Sequence, residues 1–174
     1  MEIMNTVAEL MALSAITAPK AKGKNFIDIK IITDTAALSS LSEEMTRYSE
    51  ETGKKSFKRD GGNIKNSQAL ILLSLKDSKP AGLNCGACGF PKCNLLESSE
   101  GPEFKGPICS WRLIDLGIAL GSAVKTAGLL NVDNRIMYSA GAAARKLGFI
   151  EGDIVVGIPL SASEKSIFFD RAPL

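Results

Sequence analysis

The chain contains no histidine. A Cys-His nucleophilic pair is therefore excluded outright, because no imidazole exists to activate a thiol. Cysteine is scarce as well, with four in 174 residues, all confined to one stretch. An excess of one charge is also missing: 21 basic residues face 19 acidic ones, and the lysines are scattered from Lys20 to Lys165 without a long run. No nucleic-acid footprint is expected from such a balance. Met1 leads into Glu2 without the positive region, apolar run and cleavage site of a signal peptide, so a cytoplasmic address is expected. The most apolar window, residues 113–130, is about long enough to span a bilayer, but Asp115 and Lys125 lie inside it and small residues dominate the rest. No membrane span is expected there. Internal repeats and a nucleotide-phosphate loop are absent too, since the glycines of 117–128 fall within a helical pattern rather than a strand-to-helix turn.

What is present is enough apolar material for a real core, 45% of the chain. Thr6 to Glu9 has capping-box spacing, and a helix is expected behind it to about residue 17, with Val7, Leu10, Met11 and Ser14 on one face. The loop 18–24 holds Lys20, Lys22 and Lys24, which read as a solvated connection or as a cradle for an anion. Ile27, Ile29 and Ile31 alternate with Asp28 and Lys30 as in a half-buried strand. Asp34 or Thr35 can cap the next helix, carrying Leu38, Leu41, Met45 and Tyr48 and stopped by Gly53. Residues 54–66 are polar, and Gly61-Gly62 reads as a turn. Residues 69–75 form an unbroken apolar run suited to a central strand.

Residues 111–130 are apolar on nearly every face and carry several glycines. A buried central helix is expected, with something packed tightly against its backbone. A short extended piece at 134–138 and a helix at 139–147 closed by Gly148 follow. A strand at 154–158 ends at Pro159, and the terminal Ile167-Phe168-Phe169 docks on the body or a partner. Asp115, Asp133, Arg135 and Asp170 read as structural ion pairs or caps, with a substrate-site lining as the alternative. Helices and strands mix without strict alternation. The expectation is a single α+β domain over 1–174, a mixed sheet flanked by helices, with a cysteine-rich insert at 80–110.

That insert carries the chemistry. Cys85, Cys88, Cys93 and Cys109 stand at C-x2-C-x4-C-x15-C, and in a reducing compartment such a set reads as a metal cage rather than as two disulfides. Thiolates select iron–sulfur clusters, zinc or Cu(I). Structural zinc sites favour two short-spaced ligand pairs. Here three ligands crowd one tight loop and the fourth is remote, which suits a bulkier cubane cluster, with a structural four-cysteine zinc site as the alternative. Gly86 and Gly89 let backbone amides approach inorganic sulfide, and Pro91 stiffens the loop.

The run from Asn84 through Cys85-Gly86-Ala87-Cys88-Gly89-Phe90-Pro91-Lys92-Cys93 to Cys109 resembles the small four-iron–four-sulfur module of corrinoid iron–sulfur proteins and electron-transport complex subunits. That resemblance implies a [4Fe-4S] cluster ligated by Cys85, Cys88, Cys93 and Cys109. Phe57 to Asp60, the cysteine motif, Ile114 to Ala119, Val132 to Tyr138 and Gly157 to Ser161 together resemble an uncharacterised prokaryotic family of ferredoxin-domain proteins. The order of elements is similar to that of flavin-dependent nitroreductases, which implies a nitroreductase-like α+β body, a homodimer, and FMN whose phosphate would lie near Lys20 and Lys22 or Arg171. The start of the first helix carries Glu2 and Asn5 where the nitroreductase pattern has basic residues.

The expected function is iron–sulfur electron transfer, to a flavin or to a partner oxidoreductase. The alternative is a non-redox scaffold holding zinc. No catalytic residue is identifiable.

Overall fold

The structure is a computed structural model that describes residues 2–169. Asp170 and Arg171, singled out above, lie outside them. Its frame is the strand β2 (Ala69–Leu75), in which all seven residues are buried. β2 pairs with β1 (Ile27–Ile32) on one side and β6 (Ile154–Ser161) on the other, and β6 pairs with the two-residue β5 (Asp133–Asn134). The order is thus β1-β2-β6-β5. Helices flank a sheet, as an α+β chain should; its described pairings are all antiparallel, where the sequence suggests a mixed sheet.

Side chains of a strand alternate between faces, so β2 feeds two cores. Ile71, Leu73 and Leu75 join a layer with α1 (Glu2–Thr17) and α4 (Ser110–Leu129). Leu70 and Leu72 face α2 (Thr35–Thr52), α3 (Lys55–Lys65) and α5 (Tyr138–Lys146). Phe168 closes the second layer, fully buried, while Phe169 stays exposed.

Several expectations change. Helix α1 begins a turn before the Thr6 box; Glu9 instead accepts a hydrogen bond from the Asn5 amide at 2.8 Å. Its buried side is Met4, Val7, Ala8, Met11 and Ala15, and Leu10 is exposed. Residues 55–65 form a helix rather than a turn. Phe57, Asp60, Gly61 and Ile64 make its buried stripe, and a Cβ on Gly61 would stand 3.1 Å from the Ser42 carbonyl of α2. The glycine serves helix contact, not chain reversal.

Strand β6 also continues through Pro159. Gly157 exchanges both backbone hydrogen bonds with Met137, so Pro159, two residues on, turns its missing N–H to that same side. There the chain at 135–136 lies outside β5 and makes no ladder bond, so none is lost. Helix α4 is buried on one face only. Gly117, Gly121 and Gly128 look outward, with no atom within 4 Å of an added Cβ. The tight packing expected against them does not occur among the described residues.

Between β2 and α4, residues 76–109 have little regular structure: a 3-10 turn at Cys93–Leu95 and a short ladder of β3 (Ser99–Glu100) with β4 (Lys105–Gly106). Lys105 N–H donates to the Asp153 carbonyl at 2.9 Å, and Arg145 of α5 donates to the carbonyls of Gly152 and Glu103. These bonds anchor the segment to the body. Among the described residues, no helix is long and apolar enough to cross a membrane.

Candidate metal centre

All four cysteines line one small pocket, together with Pro80, Ala81, Leu83, Phe90 and Trp111. The chain reaches it from two sides. Cys85, Cys88 and Cys93 ride on a loop whose tight turns need left-handed backbone at Asn84, Gly86 and Gly89 (φ 49°, 73° and 89°). Glycine adopts such angles freely and asparagine tolerates them. Gly89 N–H closes the turn onto the Gly86 carbonyl at 2.9 Å. Cys109 comes from a separate part of the chain, at the N-cap position of α4.

Burial is graded across the set: Cys85 is exposed, Cys88 and Cys93 are half-buried, and Cys109 is buried. None is in a disulfide. Asn84 laces the loop at both ends, its N–H donating to the Cys93 sulfur at 3.3 Å and its side-chain oxygen accepting from Cys93 N–H at 2.8 Å. Hydrogen bonding from the Ala87 backbone and then from the Trp111 side chain lowers the Cys85 pKa below the ordinary thiol value. At Cys85 these two donors favour the thiolate, the form that binds metal. Cys109 sits at the N-terminus of a 20-residue helix, where the aligned peptide dipoles present their positive end. Among the described residues, no three Cys, Asp or Glu side chains are gathered closely enough to hold a single metal ion.

The donor set fits an iron–sulfur cluster: four thiolates, amide donors at two of them, and an apolar wall that limits water. Lys20, which reads in sequence as part of a solvated connection or of an anion cradle, is engaged within the chain. Its ammonium donates to the carbonyls of Ala15, Ile16 and Ala18, at 2.9, 2.9 and 2.7 Å. It caps the C-terminus of α1, and burial pushes its pKa down. Lys22 remains exposed beside Gly82. Asp115 forms a buried ion pair with Arg112 at 2.8 Å, as a structural reading expects. The Arg135 guanidinium lies over the Phe169 ring at 5.6 Å, and Asp133 is in β5. Sequence reasoning passed over Arg112, Asn84 and Trp111. An arginine three residues before Asp115 in a mostly apolar helix was the available signal for the first.

A second cavity lies between the β3–β4 hairpin and the helices α2 and α5, lined by Tyr48, Phe57, Glu103 and Arg145. Its charges are already paired: Glu103 accepts from the Tyr48 hydroxyl at 3.1 Å and from Lys54 at 2.6 Å.

Comparison with known proteins bears on both fold and site. A family described as uncharacterised proteins containing a ferredoxin domain (DUF2148) matches residues 105–171, a span that takes in Cys109 and α4. An uncharacterised protein of Archaeoglobus fulgidus is 46% identical over 174 residues, covering 99% of this chain and 94% of the relative. The chain belongs to this ferredoxin-domain family. Solved structures of similar shape are nitroreductases. One, from Desulfitobacterium hafniense with bound FMN, is 14% identical, with a TM-score of 0.61 over 92% of this chain and 78% of that one. Another, a putative NADH dehydrogenase/NAD(P)H nitroreductase from Bacteroides thetaiotaomicron, is 12% identical, with a TM-score of 0.57 over 92% of this chain and 76% of that one. At such identities the likeness is one of fold. The ferredoxin-domain chain is thus nitroreductase-like in architecture and carries its cysteines between β2 and α4.

Proposed function

We propose that this ferredoxin-domain protein is an iron–sulfur redox protein in which Cys85, Cys88, Cys93 and Cys109 hold one [4Fe-4S] cluster. The observation that carries this reading is the convergence of all four thiols on one pocket from two separate parts of the chain. The spacing favours a cluster over zinc, since three ligands crowd one loop and the fourth is remote. A single zinc ion, with sulfur at about 2.3 Å from the metal, draws all four ligands tightly together, whereas a cluster offers four separate iron corners. The bound cluster would supply one-electron chemistry at a potential tuned by hydrogen bonds and exposure.

The chain's own residues have separate tasks around it. Asn84 and Ala87 direct N–H groups at sulfur. Trp111 and Leu83 wall the pocket while remaining partly exposed, which leaves an apolar contact face beside Cys85 for a redox partner. The acceptor is a flavin, bound by this chain as FMN or carried by a partner oxidoreductase. Lys20 itself is engaged with the carbonyl end of α1. A second copy of the chain covers the outer faces of α1 and α4, and the reduced thiols suit the cytoplasm.

Anaerobic purification followed by iron and acid-labile sulfide analysis, with a visible spectrum, tests this reading. About four irons and four sulfides per chain are expected. Zinc without sulfide would instead establish a structural site. A two-band flavin spectrum would place FMN on this chain.

A further inference from the structure

Arg112 stands three residues after Cys109 and is among the largest fully buried side chains, 1% exposed. Its Nε donates to the Lys79 carbonyl at 2.9 Å, and its Nη1 to the Ala21 carbonyl at 3.1 Å and the Asp115 carboxylate at 2.8 Å, with the Lys24 carbonyl at 3.5 Å. Asp115 in turn accepts from Ala21 N–H at 2.7 Å. The Phe26 ring lies 4.7 Å from the guanidinium carbon. One side chain therefore ties together the loop 21–24, the approach to β1, the first turns of α4 and the entry to the cysteine segment. Lys79 immediately precedes Pro80 and Ala81, which line the thiol pocket.

Stability alone does not explain this arrangement. Replacing a buried ion pair by well-packed apolar residues is often neutral or stabilising. What such a replacement cannot supply is the planar fork, which fixes several acceptors in one geometry; lysine, a point charge on a flexible stem, cannot supply it either.

We propose that Arg112 is a positioning residue for the four-thiol site, clamping the entry of the cysteine segment at Lys79 to the start of α4 so that Cys109 is held at a fixed distance from the loop bearing Cys85, Cys88 and Cys93. Residues that orient ligands in this way govern how well a site holds its metal. The inference rests on the reading of the four cysteines as ligands of one cluster.

Two variants test it. Arg112→Met with Asp115→Leu removes the pair together and strands no charge, and Arg112→Lys keeps the charge but loses the fork. Far-UV circular dichroism reports folding. In reduced, metal-free protein, mass spectrometry follows alkylation of Cys109 relative to Cys85. After anaerobic reconstitution with iron and sulfide, iron retention is measured against a chelator.

Folded variants should label Cys109 faster relative to Cys85. Iron retention should weaken roughly tenfold to a hundredfold, the range typical for loss of an outer ligand-orienting partner. Unchanged labelling and retention in a folded variant would overturn the proposal. So would unfolding of both variants, because Arg112 would then serve the fold at large. If the parent protein takes up no iron and sulfide, the cluster reading fails by itself. The labelling comparison would then still decide whether Arg112 positions Cys109.

Discussion

Cys109 and Cys85 are chemically alike but differently placed, and the difference is measurable. Cys109 is buried at the start of α4, whereas Cys85 is exposed on the loop. Serine at either position removes a soft ligand, and Cys109 is the one of the four that stands at the start of α4. Cys109→Ser should lose most of the cluster absorbance in an anaerobic visible spectrum; full retention would mean that the fourth ligand is another group. Lys20 makes a different prediction. Its ammonium neutralises the carbonyl end of α1, and a cation there contributes about 0.3–1 kcal/mol when exposed and up to ~2 kcal/mol when partly buried. Lys20→Met should lower stability in urea by about 1 kcal/mol and leave any flavin content of the purified protein unchanged. The cysteine set was legible because ligand spacing is written in sequence order. The fate of Lys20 was not, since it depends on where the α1 carbonyls end in space.

Helix boundaries and helix contacts can be read with different ease. Asp34 shows its role locally: its carboxylate accepts from Ala37 N–H at 3.0 Å, and Gly53, at φ 74°, terminates the same helix. Both signals lie within a few residues of the elements they bound. Asp34→Ala should cost about 1 kcal/mol in a denaturant melt, the usual magnitude for a lost N-cap. Gly61 and Gly141 behave otherwise, because each is small for the sake of another element packed against its own. A Cβ at Gly141 would lie 1.9 Å from the Val155 carbonyl oxygen of β6, an overlap no rotamer can relieve. Gly141→Ala should therefore cost more than the ordinary 1–3 kcal/mol of core overpacking, with loss of folded protein the visible result. A variant that melts like the parent would show that α5 can shift away from the sheet. The same reasoning explains why residues 55–65 read as a turn: two adjacent glycines favour one locally, and only the approach of α2 to Gly61 shows why the helix holds one of them.

At the scale of the whole molecule, one face of the sheet is covered by α1 and α4, and the far sides of those helices carry apolar residues that the chain leaves exposed. Leu13 and Ile16 on α1 are 57% and 52% exposed, and Ile114 and Ile118 on α4 are 47% and 39% exposed. Gly117 and Gly121 lie on the same helix as the latter pair and are open to solvent. Apolar side chains on two helices that pack together, beside glycines that allow close backbone approach, offer a surface for a second copy. In sequence these residues make an all-apolar helix, a pattern that predicts burial; in the proposed dimer the covering surface belongs to the second copy. A face covered by the same face of a second copy would make a two-fold dimer. The 18.5 kDa chain should therefore elute with about twice its mass in light scattering after size exclusion. A charge on each helix, Leu13→Lys with Ile118→Lys, should return it to the monomer mass, because each lysine would be desolvated without a partner in the closed interface. A monomeric parent protein would sink the dimer. Loss of the dimer with cluster content intact would show that each chain completes its own thiol site, as expected where all four cysteines line one pocket within a single chain.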